Sequence, residues 1–270
     1  MLPGKRILFL HHSTGRLIWN GGQLKLFPRI ARKLFSLIRV KSNPFARVPS
    51  LVWQHNRASG TKHLVEELTF PKASPYGWRN YPFDYYNIWV KHAGPSPTLG
   101  EPTLEMLTPH YDVIVFKHCF PVSAIQADTH PEIDSEYRSL ANYKLQYRAL
   151  RDKLRQFSST QFIIWTNPAL VKSRTTEEEA RRGQEFARWV VEEWDAPDDN
   201  IFLWDFHGLE TEGDLYLQEK FAQSATDSHP NQRFCTEASR LFVQRVLDVA
   251  QSNGRHTDLQ GLHSAGSTTP

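Results

Sequence analysis

A chain of 270 residues, 40% hydrophobic and 23% charged, has the size and composition of a folded protein with a sizeable core, not of a disordered one. Its net charge of +3 is too small and too evenly spread to argue for nucleic-acid binding. Two cysteines far apart, Cys119 and Cys235, exclude the disulfide framework of small secreted domains, and no CxxC or clustered Cys/His spacing suggests a metal site.

In chain order, the first apolar run, Arg6–His11 (RILFLH), reads as a buried strand. It is too short for a signal-peptide core, so the expected location is cytoplasmic, although a leader trimmed beforehand would leave the same sequence. No stretch approaches the ~20 apolar residues of a membrane span. Gln23–Ile38 repeats apolar residues at helical spacing. The overlapping basic run from Arg29 to Arg47 reads as a solvated helix face, so membrane association is not expected. Further strands are predicted at Leu51–His55, Asp112–His118, Gln161–Thr166 and Ile201–Phe206, and further helices at Glu136–Phe157, Thr176–Trp194 and Asn231–Ala250.

This alternation predicts one α/β domain over residues 1–250, with a five-stranded, mostly parallel sheet covered by helices on both faces. Residues 70–97 interrupt it as an aromatic- and proline-rich insertion, and residues 251–270 read as a disordered polar tail. Ligands of such sheets bind beyond the carboxyl ends of the strands.

Three short stretches carry candidate chemistry. The first strand runs into His11-His12-Ser13-Thr14-Gly15, placing a hydroxyl where a nucleophile meets substrate, or simply an ordinary loop serine. Asp227-Ser228-His229-Pro230 precedes the last helix and holds the parts of a base and its orienting acid, or of a helix cap. Gly60, expected after the second strand, offers a backbone N–H to a ligand, or makes a turn.

Together these stretches resemble the SGNH/GDSL hydrolases, over about residues 5–250 in order of elements. The resemblance implies a flavodoxin-like three-layer α/β/α fold and a serine esterase that hydrolyses or transfers an acyl group. Ser13 would be the nucleophile, His229 the base and Asp227 the acid, with no cofactor and no metal. The chain departs from the family's pattern in three places. His11-His12 stands where Gly-Asp is usual, and Asp227 lies two residues before the histidine rather than three. The third strand ends in Lys117-His118-Cys119, without the asparagine that donates to the oxyanion. The oxyanion set is therefore expected to be the N–H groups of Ser13 and Gly60, with Lys117 and Cys119.

His12, His118, Trp78 and Trp89 are the candidate substrate contacts, the tryptophans able to stack on a sugar or to pack the insertion. The expected partner is a small-molecule or carbohydrate ester, with O-acetyl the preferred group. Two rivals remain: a binding module of the same fold without turnover, and a phosphate or nucleotide binder using His11–Gly15. The second lacks any Gly-rich phosphate motif.

Overall fold

The computed structural model describes residues 4–22, 46–72 and 79–264. Five parallel strands form one sheet: β1 (Arg6–His11), β2 (Leu64–Thr69), β3 (Val113–Phe116), β4 (Gln161–Trp165) and β5 (Ile201–Trp204), in the order β2-β1-β3-β4-β5. This is the flavodoxin-like order. The register runs from Arg6 opposite Leu64 to His11 opposite Thr69, with Ile7 opposite Val113 on the other side. β1, β3 and β4 are buried along nearly their whole length, hence their unbroken apolarity in sequence.

Helices cover both faces. On one lie α1 (Ser13–Asn20), α2 (Arg47–Ser59) and the long α7 (Gln232–Ser252), packed on Ile7, Phe9, Val115 and Trp165. On the other lie α3 (Pro82–Tyr86), α4 (Leu140–Leu154) and α5 (Glu177–Trp189), packed on Leu8, Leu10, Phe116 and Ile164. The short α6 (Phe206–Thr211) follows β5. Local chemistry sets several helix starts. Ser139 accepts from Asn142 N–H, Asn231 from Phe234 N–H, and Thr176 forms a reciprocal capping box with Glu179. Before α7, a two-stranded antiparallel hairpin is formed by β6 (Ala222–Ser224) and β7 (Asp227–Pro230).

Three expectations need correction. Leu51–His55 is not a strand but the middle of α2, where Val48 and Val52 lie on one buried face a turn apart. The second strand is Leu64–Thr69, which the sequence hides because it is largely half-buried and carries Glu66 and Glu67. Of the tail expected to be disordered, residues 253–264 pack back on the domain. Leu259 O accepts from Asp205 N–H, and Asp248 accepts from the N–H groups of His256 and Thr257. The insertion is partly core, with Tyr85, Ile88 and Trp89 fully buried. The helix expected at Gln23–Ile38 lies outside the described residues, as does most of the basic run from Arg29 to Arg47. Among the described residues, no helix is long and apolar enough to cross a membrane.

Candidate active site

β1 leads directly into α1, so Ser13 becomes the first residue of a helix at the carboxyl end of the sheet. The opening N–H groups of a helix have no intrahelical acceptor, and the macrodipole adds partial positive charge there. Gly15 permits this close start, because a Cβ at that position would stand 2.4 Å from the Cβ of His11.

Asp227 and His229 sit two residues apart on β7, and the period of a strand turns both side chains to the same face. Asp227 Oδ1 accepts from the His229 imidazole at 2.7 Å and from the His229 N–H at 3.0 Å. A spacing of two on a strand thus achieves the carboxylate–imidazole contact. Partial burial opposes ionisation of Asp227, but the bonds from His229 and the charge of Arg174 outweigh it and hold the carboxyl below its usual range. Phe120, just past β3, packs edge-on against the His229 ring, with centroids 4.8 Å apart.

α1 and β7 are in contact, and Ser13, Asp227 and His229 line one cleft of about 820 Å³ together with His12, Thr69 and Gln232. With the imidazole Nδ1 engaged by Asp227, the neutral ring keeps Nε2 as an acceptor for a hydroxyl proton. His12 also lines this cleft. Its Nε2 donates to Pro71 O at 2.5 Å, and burial, aided by Lys117 and Arg16, lowers its pKa to about 4.

The third-strand end is placed differently from expectation. Cys119 Sγ lies 3.8 Å from Ser13 Oγ, so this residue does stand beside Ser13. Lys117 does not reach the cleft. It is fully buried behind Cys119, with Nζ 3.9 Å from Sγ and 5.7 Å from the centre of the Trp165 ring. Burial lowers the Lys117 pKa and raises that of Glu210, a buried carboxyl of α6 that acts on Lys117 electrostatically.

His118 is likewise interior rather than a substrate contact. Its Nδ1 donates to Asn80 O at 3.0 Å and its Nε2 accepts from Tyr147 OH at 2.7 Å, and burial lowers its pKa to about 3. Trp89 is core as well, stacked on Phe70 and donating to Pro102 O. Trp78 lies outside the described residues.

Gly60 is also displaced from its expected role. It caps α2 in the left-handed region, at φ 70°, four residues before β2 begins. Because β2 runs parallel to β1, that turn lies at the opposite end of the sheet from Ser13. The separation is about 20 Å, one strand length at ~3.3 Å per residue.

Asn80 is the residue that sequence reading missed. Fully buried and at φ 55°, it donates to Phe70 O at 2.9 Å, accepts from Cys119 N–H at 2.8 Å and offers its carbonyl to His118. It ties the end of β2 to the end of β3 beneath the cleft. An asparagine tolerates positive φ, but nothing local marks this one as a hub. Among the described residues no group of His, Cys, Asp and Glu could hold a metal ion.

No family model matches the sequence, and no curated protein matches it. Two solved structures align along most of the chain. One is a mutant of an acetyl-xylooligosaccharide esterase from Geobacillus Stearmophilus, 14% identical over 89% of this chain and 93% of that one, with a TM-score of 0.49. The other is a putative GDSL-like lipase from Parabacteroides merdae, 12% identical over 88% and 94%, with a TM-score of 0.47.

Proposed function

We propose that this protein is a serine esterase of the SGNH/GDSL type, acting on an acyl ester and by preference on an O-acetyl group carried by a carbohydrate. The observation that carries this reading is the oriented pair Asp227–His229 facing the cleft that Ser13 lines at the start of α1.

The chemistry follows from the roles available. His229 Nε2 takes the Ser13 proton, and Ser13 Oγ attacks the ester carbonyl. The oxygen that becomes negative is received by the Ser13 N–H at the positive end of α1, with the Cys119 thiol as a weaker neighbour. The protonated imidazole, held by Asp227, returns its proton to the leaving alcohol. Water then repeats the sequence on the acyl-enzyme and restores Ser13. Thr69 and Gln223 supply hydroxyl and amide groups at the cleft wall, which suit the hydroxyls of a sugar.

One observation favours the rival reading of a binding module without turnover. The Cys119 N–H is spent on Asn80, and Gly60 stands at the far end of the sheet, so the oxyanion donors are few. One experiment separates the two readings. The wild type should hydrolyse 4-nitrophenyl acetate and be labelled at Ser13 by a fluorophosphonate. Ser13→Ala should lose about 10³-fold or more in kcat with its melting temperature nearly unchanged. An unlabelled, inactive wild type decides for the binding module.

A further inference from the structure

The charges around Ser13 are one-sided. Among the described residues, two that line the cleft are cations, Arg16 and Lys72, and the only carboxylate lining it is Asp227, already committed to His229. Arg16 lies three residues after Ser13 on α1, and that spacing brings it round to the face that carries the nucleophile. Its Nη2 donates to Thr69 Oγ1 at 3.1 Å, which holds the guanidinium across the cleft from α1 to the end of β2.

Lys72 is fixed by its main chain, whose N–H donates to Glu101 Oε1 at 2.8 Å, while its side chain is exposed. Among the described residues neither the Arg16 guanidinium nor the Lys72 ammonium forms an ion pair within 4 Å, although the Glu101 carboxylate meets the Lys72 main chain. Glu67, on the same face of β2 as Thr69, is engaged by His11 at 2.9 Å. The segments outside the described residues contain no Asp or Glu, so no acidic side chain there can neutralise the pair.

Resting on the reading of Ser13 as nucleophile, we infer that this cleft selects esters whose acyl or alcohol half carries a carboxylate, sulfate or phosphate, held by Arg16 and Lys72. Two cations beside a nucleophile and without their own counter-ions repel a cationic substrate and leave desolvation uncompensated for a neutral one. An anion on the ester supplies the missing partner. The planar Arg16 fork suits bidentate oxygens, and Lys72 acts as a point charge.

The test compares matched substrates. Mono-4-nitrophenyl succinate places the anion on the acyl half, with 4-nitrophenyl butyrate as its neutral counterpart. 4-Acetoxybenzoate places it on the alcohol half, with 4-acetoxybenzamide as the neutral counterpart. The wild type should favour one anionic ester over its neutral counterpart by about tenfold in kcat/KM, the scale of a charge-assisted hydrogen bond. That ratio should fall toward one in the Arg16→Gln/Lys72→Gln protein and on raising salt from about 0.1 M to about 1 M. The ester that shows the effect identifies the half that bears the charge. A ratio at or below one, or a ratio untouched by the double substitution, overturns the inference.

If no ester is turned over, the nucleophile reading fails, and calorimetry on Ser13→Ala decides the anion question separately. Binding of mono-4-nitrophenyl succinate or 4-acetoxybenzoate that is weakened by Arg16→Gln/Lys72→Gln sustains the cationic site. Absence of binding, or binding indifferent to the two substitutions, removes it.

Discussion

On one side of Ser13, Asp227 and His229 stand on a short hairpin with side chains 45% and 29% exposed; on the other, Lys117, His118 and Cys119 leave β3 inside the protein, at 0%, 0% and 4%. The first side is made by residues close in sequence and open to solvent. The second is a polar network assembled from β2, the insertion, β3 and α4 through Asn80, Tyr85 and Tyr147. Exposed groups at the cleft are able to meet a substrate and contribute little to folding. Buried polar groups are costly unless every partner is in place, so the same residue types there hold the scaffold together.

Substitution of Asn80 by alanine should separate the two sides most sharply. It leaves the Cys119 N–H and the Phe70 carbonyl buried without partners, at about 1–3 kcal/mol each, so a loss of about 4 kcal/mol in unfolding free energy is expected by urea titration. A loss below about 1 kcal/mol would mean that the network is not the scaffold described.

A second measurement follows the pH dependence of His118. Its folded pKa of about 3 lies below the ordinary 6.5, so the unfolded chain takes up the proton first as the pH falls. Stability from this group is therefore intact above about pH 6.5 and declines toward pH 3, by about 3 kcal/mol at pH 4. His118→Gln lacks this titration. The stability gap between wild type and variant should shrink by that amount between pH 6.5 and 4, and a constant gap argues against a buried neutral imidazole. The opposite trend of Asp84, pushed up to about 7 mainly by burial, is common to both proteins and cancels in the comparison.

The smallest expected free-energy effect falls on the exposed side. Asp227→Asn keeps an acceptor for the His229 N–H but loses the charge that orients and stabilises the imidazolium. Hydrolysis of 4-nitrophenyl acetate should fall about 100-fold, near the low end for acid–base assistance because the carboxylate is nearly half exposed, and the melting temperature should hardly move. Unchanged turnover would leave His229 without a functional partner in Asp227.

How much of this was legible depended on how local each feature is. β1, β3, β4 and β5 appear in the sequence within a residue or two of their ends, because strands covered on both faces must be apolar throughout. β2 was not legible, since Leu64 is exposed and residues 66–69 are only half-buried, whereas β5, the other edge strand, is nearly all buried. The helix before it borrowed the apolar run instead, and Gly60 went to the wrong end of the sheet with it. Ser13, Asp227 and His229 could be named because each lies in a short stretch with its own chemistry.

By itself, then, the sequence determined the layers of this protein and the two segments that meet at the cleft, through periodicity and near-neighbour chemistry. Only the tertiary structure decided which polar residues line the cleft and which are interior. Lys72 and Lys117 have the same side-chain chemistry, yet one is exposed at the cleft and the other is fully enclosed. What separates them is how much of each the folded chain encloses, and that depends on contacts between residues far apart in sequence, such as Ser13 and Cys119, 106 positions apart.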